Sequence, residues 1–303
     1  MGKRAVPIAA GLLVAAVWIS LQLSQVQASG DTASAASTVP SVLAGFRSDA
    51  WFLPDEPLLG FVEIPAGGFF MGSDPASDPL AFDIEYNANP AADGTVDVAA
   101  FYMSRFEVTV AQFAAFVAAT GHLSDSLRIQ TSPDHPIAHV SWPDALAYAR
   151  WLDSELRAST VTPEALAALL QEGFEVTLPT EAQWEKAARG EDGRIYPWGN
   201  GPGAGFATYA VRRTAPVGSA LCQECAYGLS DMAGNVWEWT RSPYQDYPYT
   251  ESDDRDGLDA DALWIMRGGS FGDPERMVRA ANRGGADPGA RRAFIGFRVA
   301  LVR

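Results

Sequence analysis

The segment Tyr227-Gly-Leu-Ser-Asp-Met-Ala-Gly-Asn-Val-Trp-Glu-Trp239 sets two tryptophans around a glutamate, directly after an Ala-Gly-Asn turn. Gly234 and Asn235 readily take positive φ, so the turn can aim its carbonyls inward. The carboxylate of Glu238, three residues beyond Asn235, can join those carbonyls around a hard cation. Calcium is the ion that tolerates such a mixed oxygen set. The same carboxylate can instead be buried and cap its own loop, and the segment alone leaves both readings open. A second cluster follows. Asp273 and Glu275 stand two residues apart, with Arg276 and Arg279 beside them. Two such carboxylates can do acid–base work or hold a hard metal, or the four groups can form a surface ion-pair cluster. Arg283, Arg291 and Arg298 could clamp an acidic ligand through bidentate bonds, with burial as structural arginines the competing reading.

The chain holds 2 cysteines, Cys222 and Cys225, in a Cys-Gln-Glu-Cys spacing. In an oxidising compartment such a pair is expected to close a small disulfide that pins the loop before Tyr227. A redox-active pair would usually sit at a helix N-terminus, which lowers the thiol pKa. A metal site would need further ligands, and the imidazoles on offer are His122, His135 and His139. The amino end bears on the compartment. Lys3 and Arg4 precede an apolar run from Val6 to Ile19, and Val26-Gln-Ala28 resembles a cleavage site, so residues 1–28 read as a signal peptide. The run is short for a membrane span, and an uncleaved anchor is the one membrane contact it leaves open. Residues 29–50, rich in Ser, Ala and Thr, read as a flexible linker before a domain over 51–303. The protein is expected to be periplasmic or secreted. A formal net charge of -15 would repel phosphates, which argues against a nucleic-acid partner.

These residues need elements to position them. Phe61–Ser73 reads as two short strands around a turn at Pro65 to Gly68, and Phe101–Glu107 as a third strand. Thr109 is placed to cap a helix through Ala119, with Gly121 as its stop. Ser141, ahead of Trp142-Pro143, starts a second helix with a stripe at Ala145, Tyr148, Trp151 and Leu152. Thr162 is expected to cap a short third helix, and Thr180 a fourth that ends at Gly190. Beyond Asn200 helical periodicity disappears, and that half reads as loops and short strands that end in an apolar, buried strand over Ala293–Leu301. Such thin regular structure needs its 9 Trp, 9 Tyr and 15 Phe to cover long loops. The expected result is a loop-rich α+β domain.

Eight pieces in order are similar to the formylglycine-generating enzyme family, also called the sulfatase-modifying-factor family. They are Phe61–Ser73, Tyr102–Gly121, His135–Leu152, Val176–Gly190, Tyr196–Asn200, Tyr227–Thr240, Arg267-Gly-Gly-Ser-Phe271 and Ile295-Gly-Phe-Arg298. The resemblance implies a variant of the C-type lectin fold. It also implies that oxidising members bind copper through a Cys pair just after the Gly-Gly-Ser segment, which suits a soft ion. Here residues 268–283 contain no Cys, so copper is not expected and formylglycine generation by that route is excluded. The branch that carries iron on His ligands from an added helical domain, the ergothioneine-pathway sulfoxide synthases, does not fit either. Secreted members without the Cys pair remain. One group is similar to the periplasmic pyoverdine-maturation protein, which helps to oxidise a siderophore chromophore; others act in signalling or secretion by binding.

Residue by residue, the resemblance implies a calcium site from the carbonyls of Asn235 and Val236 and the carboxylate of Glu238. It implies a substrate groove lined by Trp239 and Ser270. Asp273 and Glu275 fall where the thiols are missing and join Ser270 and Trp239 as candidate catalytic residues. Arg279, Arg283 and Arg298 are candidate substrate contacts. The expected function is oxidative maturation of a peptide or peptide-like substrate. The alternative is a non-catalytic module that recognises a periplasmic protein.

Overall fold

In a computed structural model of the protein, the described residues are 56–86, 94–201, 203, 205–220, 222–249 and 262–303. The expected signal peptide and linker lie outside them.

Helices begin where short polar side chains can satisfy free backbone amides. α1 (Val110–Thr120) is capped by Thr109, which accepts from Gln112 N while Gln112 reaches back to the Thr109 amide, and Gly121 closes it at φ 70°. After the short α2 (Ser126–Ile129), α3 (Trp142–Ala158) starts with the same reciprocal arrangement between Ser141 and Asp144. α5 (Glu181–Arg189) repeats it with Thr180 and Gln183. The exception is α4 (Glu164–Gln171). Its N-cap is Pro163, and the hydroxyl of Thr162 donates instead to Leu156 O at 2.7 Å.

Strands form three small sheets. β1 (Phe61–Ile64), β4 (Phe101–Ser104), β10 (Ala300–Val302) and β5 (Glu175–Thr177) make one, in the order β1-β4-β10-β5. β2 (Gly67–Phe70) pairs with β3 (Thr95–Val98) in a second. The two strands expected around Pro65 exist but belong to different sheets, so Pro65–Ala66 is a crossing point and not a hairpin turn. β6 (Trp237–Pro243), β7 (Trp264–Arg267), β8 (Arg283–Ala286) and β9 (Ile295–Gly296) make the third, in the order β8-β7-β6-β9, with β9 parallel to β6.

Aromatic side chains fill what these thin sheets cannot. Phe113, Phe116, Tyr148 and Phe297 pack edge-on between α1, α3 and the terminal run, with Phe113 stacked on Tyr148, and Trp142 stacks on Trp264 at 3.8 Å between centroids. Each such ring removes a large apolar area from water. The whole is an α+β, loop-rich fold.

α5 is unusual in burying its charges. Glu181, Glu185, Lys186 and Arg189 are all buried. Glu185 pairs with Arg189 and with Arg267, Glu181 pairs with Arg283, and Lys186 Nζ donates to the carbonyls of Pro65 and Gly67. Buried charges persist only when paired and hydrogen-bonded, and here each one is.

Candidate functional site

The site forms where three loops are stitched edge to edge. Gly234 N donates to Gly268 O, Asn235 N to Thr208 O, Phe271 N to Asn235 O, and Ala210 N to Asp273 O, at 2.8–2.9 Å. Gly269 permits the turn at φ 72°, where an added Cβ would lie 2.6 Å from Met277 O. The turn delivers Ser270 to Asp273: Ser270 N and Oγ donate to Asp273 Oδ2 at 2.9 and 2.8 Å. Trp237 Nε1 adds a third donor to the same oxygen at 2.8 Å. Three donors on one oxygen fix the carboxylate's orientation. Asp273 Oδ1 accepts no hydrogen bond among the described residues, so it is the oxygen available to take a proton or bind a ligand donor.

Glu275 lies beside this centre. Its Oε1 accepts from Gly203 N and Tyr209 OH, both at 3.3 Å. Burial and the Glu275 charge push the Tyr209 phenol above its ordinary range. Tyr196 is pushed up to about 12, first by burial and then by the same carboxylate.

Several expected site residues prove to be elsewhere. Trp239 is fully buried and its Nε1 donates to Val140 O, so it is core and Trp237 takes its place at the site. Register explains this. Glu238 pairs with Arg267, which puts Trp237 opposite Gly268 at the head of the Gly-Gly-Ser turn. The three arginines assigned to substrate are structural. Arg279 is held by Glu85 and Asp78, Arg283 by Glu181, and Arg298 by Glu238. Arg291 pairs with Asp144 at the start of α3. The expected surface cluster of Asp273 and Glu275 with Arg276 and Arg279 does not form either: Arg276 lies over the Phe82 ring at 3.7 Å.

The calcium set read from the sequence does not fit. Both oxygens of Glu238 are spent on Arg298, at 2.7 and 2.8 Å, and one also accepts from Trp184 Nε1. The Asn235 carbonyl accepts from Phe271 N, and its side chain links Ala215 to Glu107. Glu238 therefore answers a guanidinium and not a metal. Cys222 and Cys225 are joined in the expected disulfide. As the chain has 2 cysteines, no thiol remains for copper.

Two buried carboxylates that sequence reasoning passed over share the Arg298 pocket. Glu107 is pushed well above the carboxylate range by burial and by the charges of Asp231 and Glu238. Asp231 is raised to about 6, chiefly by burial, and its Oδ1 is buried without a partner. Asp231 lies within the Tyr227–Trp239 segment, where the reading centres on Gly234, Asn235 and Glu238. A folded pKa above the unfolded 3.8 means that the native state holds this proton more tightly. Its contribution to stability is therefore complete below about pH 4 and lost as pH rises through about 6. Asp231→Asn is expected to stabilise the protein at pH 7–8 and to flatten the pH dependence between about 4 and 6, by an amount on the order of a few kcal/mol. Urea melts at several pH values check this; an unchanged slope for the variant contradicts it.

The comparisons with known proteins agree with this architecture. The model of the sulfatase-modifying factor enzyme 1-like domain matches residues 53–302. The formylglycine-generating enzyme of Thermomonospora curvata is 32% identical over 315 residues, covering 82% of this chain and 95% of the relative. The hercynine oxygenase of Mycolicibacterium smegmatis is 28% identical, covering 79% of this chain and 60% of the relative. Among solved structures, PvdO from Pseudomonas aeruginosa matches with a TM-score of 0.62 at 28% identity, over 80% of this chain and 93% of that one.

Proposed function

Because the chain belongs to the sulfatase-modifying factor family, whose relatives include oxidising enzymes, we propose that it promotes oxidation of a peptide or peptide-like substrate bound at Trp237, Ser270 and Asp273. The observation that carries this reading is the Asp273 carboxylate, anchored through one oxygen by three donors and open at the other. It stands where the resemblance places thiolates in oxidising relatives. In this reading Asp273 is a base. A substrate giving up two electrons and two protons to dioxygen yields hydrogen peroxide, and Asp273 Oδ1 takes one of those protons before returning it to the reduced oxygen. Ser270 and Trp237 hold the carboxylate in place throughout. The work is proposed to take place in the periplasm or outside the cell, as the amino-terminal sequence implies.

Asp273→Asn keeps the shape and removes the base. It is expected to lower substrate-dependent oxygen uptake by about a hundredfold, the lower range of general-base contributions. Measuring oxygen consumption with candidate peptides tests this; full activity in the variant would remove Asp273 from the chemistry. One observation favours the second reading, a non-catalytic binding module for a periplasmic protein. The arginines expected to contact a substrate, Arg279, Arg283 and Arg298, are locked into ion pairs elsewhere. Tight binding of a partner with no oxygen uptake by the unaltered protein would establish that reading instead.

A further inference from the structure

We infer that Arg212, Arg213 and Arg292 form a docking rim for an acidic segment of a partner polypeptide. The inference rests on the proposed reading that this face takes a peptide-like ligand, and it names the charge that brings one there. In the interior, arginines are spent on carboxylates: Arg267, Arg279, Arg283 and Arg298 each hold at least one. The three of the rim are not. All are exposed, and none has a carboxylate partner among the described residues. Arg292 Nη1 donates to the carbonyl of Arg291 at 3.1 Å, which leaves its charge unanswered.

Backbone bonds set these arginines along one edge of the candidate site. Val211, just before Arg212, donates its amide to Phe271 O, and Ala210 donates to Asp273 O. On the other flank Trp237, which holds Asp273, donates its amide to Phe294 O, two residues beyond Arg292. Residues 134–139 join the flanks. His135 Nδ1 lies 2.8 Å from Thr214 Oγ1, next to Arg213, and His139 N donates to Arg292 O at 2.9 Å. His135 and His139 stand four residues apart, a span of up to roughly 14 Å. A lone carboxylate or phosphate cannot bridge cations spread so far, whereas an extended segment with several carboxylates can. The edge also shows apolar groups to solvent, Val211 at 48% and Phe294 at 39% exposed. Arginines interleaved with exposed apolar side chains are the make-up of a protein interface. Within residues 134–139, 210–217 and 291–294 the one acid is Asp134, and Arg291 is already held by Asp144. The net charge of -15 repels an acidic partner over the rest of the surface, so attraction confined to this edge would direct it to the site. That same charge disfavours nucleic acid and anionic bilayers, whose phosphates extend well beyond the rim.

The test uses the full chain, anionic lipid vesicles and two labelled, blocked peptides with a central phenylalanine. One peptide carries aspartate and glutamate, and the other has asparagine and glutamine in their places. Fluorescence anisotropy and calorimetry follow binding at low and at high salt. The acidic peptide is expected to bind about tenfold more tightly than its amide counterpart at low salt, an advantage that salt erodes. The combined variant Arg212→Gln, Arg213→Gln, Arg292→Gln is expected to abolish the advantage with an unchanged melting temperature. Arg150→Gln, which removes an exposed arginine lining a cleft between α3 and β5, is expected to keep it. Asp273→Asn is expected to keep it while losing oxygen uptake, so failure of the rim and failure of the oxidative reading are separable. Equal binding of the two peptides, no binding of the acidic one, or vesicles bound in its place would overturn the inference. So would a preference that survives the combined variant or vanishes with Arg150→Gln.

Discussion

Arg298→Met is expected to destabilise the protein by about 3–5 kcal/mol, the cost of leaving a buried charge without its partner. Arg298 is fully buried and holds both oxygens of Glu238, and it also donates to the carbonyls of Ser104, Arg105 and Ser230. It is moreover the cation that faces Glu107 and Asp231, whose charges act on it. Methionine approximates the volume and offers none of those donors. Urea denaturation of the two proteins measures the difference, and a loss below about 1 kcal/mol would contradict the account. Adding Glu238→Gln to the variant should recover part of the loss, because neighbours within one network are not additive.

Gly234→Ala carries the second large expectation. At φ 80° an L side chain is already strained, and its Cβ would lie 2.2 Å from the carbonyl oxygen of Thr208. Backbone cannot yield as a side-chain tip can, so a loss of roughly 3 kcal/mol or more is expected. The effect should also reach the site. Thr208 is the acceptor for Asn235 N, and Ala210, just beyond it, holds Asp273. The folded fraction of the variant is therefore expected to bind and turn over substrate poorly. Gly272→Ala, with nothing within 4 Å of its added Cβ, is the control and should change stability by less than about 0.5 kcal/mol. Thermal melts and oxygen uptake of both variants check the contrast.

What was legible in the chain beforehand was local. Thr109, Ser141 and Thr180 announce their helices because capping needs only a hydroxyl and an amide three residues on. Thr162 misled because Pro163, at ψ 142°, sits at the cap position itself. The family likeness, spread over eight ordered pieces, made the fold readable where periodicity could not. The arginines were not readable, because their partners are remote. Arg283 meets Glu181 across 102 positions and Arg279 meets Glu85 across 194. Spacing along a chain cannot reveal such pairs, so guanidiniums that neutralise the interior looked like ligand clamps. Trp239 and Trp237 cannot be told apart from spacing for a similar reason. Only the register of β6 against β7 decides which indole meets the Gly-Gly-Ser turn.

α5 ties distant parts of the chain to one another. Its Lys186 grips the carbonyls of Pro65 and Gly67 at the β1–β2 crossing and Arg189 that of Phe70 at the end of β2, while Trp184, Glu185 and Glu181 reach β6, β7 and β8. Neither region can come apart without exposing charges that the helix keeps neutralised, so heat should melt them together. Calorimetry should show one endotherm, and amide protons on both sides of the helix should exchange through the same global opening.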